Sequence, residues 1–299
     1  MRDIRSLFVV TLLTLIQGLF SCELPAQTGG ILVEDQQVES SILDKEVSYT
    51  IYFPQDYLES NRSYPVLYLL HGFTDDHTAW AQFGEVKAIA DRGEDELEIT
   101  SMIIVMPDAG YSWYVNNHDG TLRYEDFFLE ELIPHIDERY RTRPDREFRA
   151  IAGLSMGGYG ALLYGLRHPD TFSSVAALSA AVYTEEQIVG MEQRRWDYFL
   201  GTPFGEARTG SERLTDHYLS HSVLDLVRGA DPEDLSQIGI WLDCGDSDRL
   251  IHGNMELHAL LQELDIENEF RIRGGGHTWD YWRSGLPDAL RFVSSRFQR

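Results

Sequence analysis

Phe148-Arg149-Ala150-Ile151-Ala152-Gly153-Leu154-Ser155-Met156-Gly157-Gly158 is the stretch whose reading decides the fold. A short, mostly apolar run leads into a serine flanked by glycines. Such a run, bounded by turn residues, reads as a buried strand. From Gly158 to His168 the chain is small and apolar, a helix able to pack tightly on a sheet. A serine between that strand and that helix sits on a tight turn, where larger flanking side chains would collide. The turn lifts the hydroxyl out of the sheet. The helix that follows points its N-terminus at the site, which favours developing negative charge.

The same rhythm extends in both directions. Val47, Tyr49, Ile51 and Phe53 alternate with strand periodicity, and Pro54 closes them. Continuous apolar runs follow at Val66–Leu70, Met102–Met106, Ser174–Leu178 and Ile238–Leu242, with a further strand at Asn268–Ile272. Runs of this kind suit strands covered on both faces. Helical patterns lie between them, at Tyr124–Tyr140 and Asn254–Leu264 as well as Gly158–His168. Alternating strand and helix predicts an α/β fold with a parallel sheet. The stretch Thr184–Ser236 breaks the rhythm. It is polar with several helix-like pieces, and reads as a cap or insertion within one domain that spans residues 41–299.

Ahead of that domain, Arg2 and Arg5 precede an apolar run from Leu7 to Phe20 that ends at Ser21-Cys22. The run is short for a membrane span and suits a signal-peptide core over residues 1–22. Leu19 and Ser21 fit a lipoprotein signal with Cys22 as the lipidated residue; Phe20 departs from it, since a smaller residue is usual there. The alternative is cleavage near Ala26. Residues 23–40 read as a tether, with a first edge strand as the alternative for the polar stretch from Gln27 to about Ser40. The chain is thus expected outside the cytoplasm, as a periplasmic, lipid-anchored outer-membrane or secreted protein, with a membrane reached only through Cys22. The formal net charge is −24 and the basic residues are nearly all arginine, lysine occurring at Lys45 and Lys87. Such a surface repels phosphate backbones and argues against nucleic acid as a partner. The two cysteines, Cys22 and Cys244, make neither a disulfide framework nor a metal-binding cluster.

A serine hydroxyl needs a base to become a nucleophile. His277, in Gly274-Gly275-Gly276-His277-Thr278-Trp279, follows the final strand, at the sheet edge where ligands bind. The acid should follow the strand ending at Leu242. Asp243 belongs to the strand end, Asp248 stands beyond the turn and is preferred, and Asp246 is second. The backbone N–H groups of Met156 and of Phe73, the latter in His71-Gly72-Phe73 after the Val66–Leu70 run, are the expected oxyanion donors. His71, Asp75, Asp76 and His77 crowd together but lack the spacing of a dinuclear metal site, because Phe73 stands where a second histidine is needed. Aromatic residues collect around these positions. Of these Trp80, Trp113, Tyr114 and Trp279 are expected to meet the substrate, with Tyr111, Tyr281 and Trp282 near them.

At these residues the sequence resembles the esterase family that contains esterase D, feruloyl and acetyl-xylan esterases and the mycolyltransferases. The matching pieces include Tyr64-Pro65-Val66-Leu67-Tyr68-Leu69-Leu70-His71-Gly72, Met106-Pro107-Asp108-Ala109-Gly110-Tyr111-Ser112-Trp113-Tyr114, Gly153–Gly160, His168-Pro169-Asp170 and Gly276-His277. The resemblance runs from about Val47 to Phe292. It implies an α/β-hydrolase fold, a triad of Ser155, Asp248 and His277, and no cofactor. It does not fix the substrate. An exported acyl esterase releasing ferulate or acetate from carbohydrate fits better than an S-formylglutathione hydrolase, whose thioester is an intracellular metabolite. Acyl transfer to a sugar hydroxyl and an inactive carbohydrate-binding scaffold are the alternatives.

Overall fold

The computed structural model describes residues 29–297. The signal segment and Cys22 lie outside the described residues. Eight strands form one sheet: β1 (Ile31–Ser40), β2 (Lys45–Phe53), β3 (Val66–Leu70), β4 (Ile103–Pro107), β5 (Arg149–Leu154), β6 (Ser174–Leu178), β7 (Gly239–Gly245) and β8 (Asn268–Arg273). Their spatial order is β1-β2-β4-β3-β5-β6-β7-β8. From β4 to β8 every neighbouring pair is parallel, while β1 and β2 run antiparallel at one edge. This is the α/β architecture expected from the alternating runs.

The apolar runs explain why the central strands have no wet face. In β3, Val66, Tyr68 and Leu70 pack into one core and Leu67 and Leu69 into the other. One core lies under the helices Met156–Arg167 and Ile251–Glu263; the second lies under Val86–Asp95 and Trp279–Arg296. The sequence expectation of a tether over residues 23–40 is corrected for its second part. Ile31–Ser40 pairs with β2 along its length, with an irregularity between Val33 and Gln36. The Glu131 carboxylate fastens the β1–β2 turn by accepting from Ser40, Ser41 and the Ile42 N–H. The helix expected over Tyr124–Tyr140 is one helical stretch with a wider π turn at Phe128–Leu132.

Residues 184–236 fold as short helices strung over the sheet, and buried polar groups hold them. Arg213 is almost fully buried and donates to the carbonyls of Ile188, Met191 and Arg208, while its guanidinium lies over the Trp196 ring at 4.9 Å. Glu125, on the main body, is 3% exposed. It accepts from His168 at 2.8 Å and Arg167 at 3.2 Å, and faces the His221 ring of the 184–236 segment at 3.7 Å. Burial alone would raise this carboxyl. The hydrogen bond from His168, the facing His221 ring and the charge of Arg167 outweigh burial and hold it at about 2. A carboxyl held below its unfolded value adds stability above that value and loses it as pH falls toward the folded one. Wild-type stability to urea should therefore fall as pH drops from about 5 to about 2, and Glu125→Gln should flatten that fall while lowering stability at neutral pH.

Candidate active site

The strand order reverses between β3 and β5: β4 lies on one side of β3, and β6 on the far side of β5. Ligand sites in open α/β sheets form outside the carboxyl ends of strands at such a switch point. The segments leaving β3 and β5 carry Phe73 and Ser155. Ser155 has φ 54° and ψ −115°, a conformation that L residues rarely adopt. Its N–H donates to the Leu178 carbonyl at 2.9 Å, and its own carbonyl accepts from Tyr159 and Ala181 at 3.0 Å. These bonds from two neighbouring segments hold the strain. The turn also brings two backbones together. A Cβ on Gly157 would stand 2.5 Å from the Leu70 carbonyl oxygen and 2.6 Å from that of His71.

Three side chains meet at this edge. The His277 Nε2 lies 2.9 Å from Ser155 Oγ, and its Nδ1 lies 2.8 Å from Asp248 Oδ2. The other Asp248 oxygen accepts from the Leu250 N–H at 2.9 Å. Burial works to raise the Asp248 carboxyl, but the bond and charge of His277 and the Leu250 N–H prevail, so it stays below the usual carboxylate range. An ionised carboxylate on one imidazole nitrogen leaves the other free to take a hydroxyl proton. The ring of Trp282 stands edge-on to His277 at 4.8 Å, with its indole N–H on Ser179 Oγ at 3.0 Å. Of the three candidate acids, Asp243 is fully buried in β7 in a paired bond with Arg273, and Asp246 accepts from Ser247 and the Gly275 N–H.

Met156 opens the helix after the serine, so its N–H belongs to the first turn, which has no intrahelical acceptor. The Phe73 N–H shares a planar peptide with the Gly72 carbonyl. That carbonyl is held by His71 Nδ1 at 2.7 Å and by the Asp75 N–H at 3.2 Å. His71 Nε2 accepts from the Ala109 N–H at 2.9 Å, so the ring proton sits on Nδ1 and donates to Gly72. A trans peptide aims its N–H away from its C=O. His71 therefore fixes the direction of the Phe73 N–H. The position a Gly72 Cβ would take lies 3.8 Å from Ser155 Cβ, so this peptide passes beside the serine. Both His71 nitrogens are committed to the backbone, a brace the sequence showed only as a histidine after a strand.

Two of the expected substrate-facing aromatics are corrected. Trp80 is fully buried, with its indole N–H on the Leu70 carbonyl at 2.9 Å, and Tyr114 is fully buried, with its hydroxyl on the His71 carbonyl at 3.0 Å. Both brace the segment after β3 from beneath. Trp113, also expected to face the substrate, is buried as well, 6.1 Å from Phe73 and 5.5 Å from Tyr159. Trp279 is half-buried against Trp80, Phe83 and Trp282. Tyr281 and Trp282 are buried.

Residues 40–293 match the family model described as Esterase. The chain belongs to the Esterase family. A solved ferulic acid esterase superposes on this chain with a TM-score of 0.77 at 34% identity, covering 91% of this chain and all of that one. An esterase of Mycobacterium tuberculosis is 29% identical over 85% of this chain and 56% of its own length. The chain thus spans about half the length of that curated relative. An acetyl esterase of Caldicellulosiruptor saccharolyticus is 26% identical, over 76% of this chain and 82% of its own. The fold of this chain is the α/β-hydrolase fold. The Gly157 contact yields a stability prediction independent of any substrate. Gly157→Ala should cost about 2 kcal/mol or more in urea unfolding, because the opposing atoms are backbone and cannot swing aside.

Proposed function

We propose that this chain is an exported serine carboxylic ester hydrolase that acts through an acyl-enzyme on feruloyl or acetyl esters of carbohydrate. The observation that carries the proposal is the unbroken hydrogen-bonded line Ser155–His277–Asp248, at 2.9 Å and 2.8 Å. Neutral His277 takes the Ser155 proton at Nε2 as Oγ attacks the ester carbonyl. Asp248 holds the ring's tautomer and stabilises the imidazolium. Negative charge then grows on the former carbonyl oxygen, where the Phe73 and Met156 N–H groups receive it, each worth about 3–4 kcal/mol in the transition state. The imidazolium returns its proton to the departing alcohol, leaving the acyl group on Ser155. Water, deprotonated by the same His277, releases the acid.

The likeness to a ferulic acid esterase and an acetyl esterase supports these acyl classes. The apolar segment Leu7–Phe20 behind Arg2 and Arg5 supports export. Lipidation at Cys22 belongs to the same reading, and radioactive palmitate on the mature chain tests it. The 184–236 segment is read as shaping the substrate site, since its Tyr198 and Phe199 meet Phe73. The sugar-ester reading is tested on methyl ferulate, acetylated xylan, p-nitrophenyl acetate and S-formylglutathione. Turnover of the last alone would overturn it.

Two variants test the mechanism. Ser155→Ala should abolish turnover of p-nitrophenyl acetate, by roughly a millionfold in kcat. Asp248→Asn should leave the fold intact and lower kcat by about 10⁴, because the amide favours the wrong imidazole tautomer. A Ser155→Ala rate equal to wild type would sink the proposal.

A further inference from the structure

Five aromatic rings from three chain segments meet beside the proposed oxyanion donor. Phe73, after β3, is the centre. Tyr111, after β4, lies 4.8 Å from it, and Trp113 lies 6.1 Å away. Tyr198 and Phe199, from the 184–236 segment, lie at 5.6 Å and 4.9 Å. Tyr111 is 61% exposed and Tyr198 is 63% exposed. A contiguous apolar patch of this kind on a protein surface marks a binding site more often than chance.

The rings are held in place at a cost to the backbone. Trp113 and Tyr114 have φ of 55° and 60°, a region that bulky residues avoid. The Tyr114 hydroxyl bond to His71 and its N–H bond to Ser112 Oγ lock that turn. The absent side chain of Gly160 leaves room for the Tyr114 ring, since a Cβ there would meet it at 2.6 Å. On the other side of Phe73, Tyr198 rides on a π turn, Asp197–Gly201. The Asp197 carboxylate pins that turn by accepting from Gln193 and the Ala207 N–H. Strain of this kind persists where it sets up a site. The Trp113 indole N–H beneath the rings is buried and meets no acceptor among the described residues.

The segments after β3 and β4 also carry Asp75, Asp76 and Asp108, and the chain as a whole carries a net charge of −24. Such a surface repels anions. A neutral sugar ring offers C–H faces to the aromatic rings and no charge for the acidic surface to repel. Tyr111 and Tyr198 are the exposed members of this aromatic shelf, the side on which a continuing saccharide chain would lie. We infer that Phe73, Tyr111, Tyr198 and Phe199 form a subsite that stacks a neutral sugar ring in the alcohol portion of the substrate. The link between this subsite and turnover rests on the ester-hydrolase reading; the binding surface itself does not.

Two measurements on the full chain test it. In the Ser155→Ala protein, titration with xylotriose, followed by intrinsic tryptophan fluorescence and by calorimetry, should show binding that a trigalacturonate of equal length lacks. Adding Tyr111→Ala or Tyr198→Ala should weaken that binding about threefold to tenfold each. Tyr198→Leu, which keeps apolar bulk without the ring, should weaken it as well. In the active enzyme the same substitutions should raise KM for acetylated xylotriose. They should also lower its kcat/KM relative to that for p-nitrophenyl acetate by about tenfold. An equal loss on both esters, or a KM effect confined to methyl ferulate, would overturn the inference, the latter by giving the shelf to the acyl group. Xylotriose binding unaffected by all three substitutions would overturn it too. Ring-dependent binding in a protein with no Ser155-dependent turnover would support the shelf and remove the hydrolase reading alone.

Discussion

The contact between Gly157 and the carbonyls of Leu70 and His71 is the constraint from which the site is built. It requires β3 and β5 to be neighbours, as they are, and the two segments leaving them to touch. Once they touch, the serine turn and the Phe73 peptide share one corner, and the hydroxyl and the N–H donors cannot drift apart. The corner is maintained by backbone. Ser155 is fixed through bonds to Leu178, Tyr159 and Ala181, and the Gly72 carbonyl through His71. Side-chain flexibility therefore enters the geometry chiefly through His277, which Trp282 and Asp248 restrain from two sides.

Much of this was legible in the sequence because the physics is local. Continuous apolar runs marked five of the eight strands, alternation marked β2, and β8 was placed at Asn268–Ile272. The glycine-serine-glycine turn, the late histidine and the aspartate beyond the β7 turn could be placed by their position after strands. Asp248 rather than Asp243 follows from reach: Asp243 is still inside β7 and is taken up by Arg273. β1 was legible only as an alternative, because its outward residues Glu34, Asp35 and Gln37 give an edge strand the look of a loop. The helix Trp279–Arg296 carries Pro287 inside it, which disguised a long element.

The aromatic residues show where local reading stops. Trp80 and Tyr114 stand near the right strand ends, and so does Tyr111. What separates them is which way the chain turns after each strand, and that is decided by partners far off in sequence. Leu70 and His71 draw Trp80 and Tyr114 inward. Tyr198 and Phe199 gave no signal at all, since their meaning depends on the 184–236 segment folding back over Phe73. The brace by His71 was hidden for the same reason: it is defined by Ala109 and Gly72, not by its own neighbours in a motif.

Arg213 and Glu125 give the 184–236 segment a further significance. One cation gathers its turns internally, and one carboxylate on the main body meets it through His221. The segment runs between β6 and β7 and contributes no member of the Ser155, His277 and Asp248 group. A lineage carrying this chain can therefore exchange or remodel that segment, together with Tyr198 and Phe199, while the corner at Ser155 is inherited unchanged. Selection can then act on what the protein recognises separately from how it reacts.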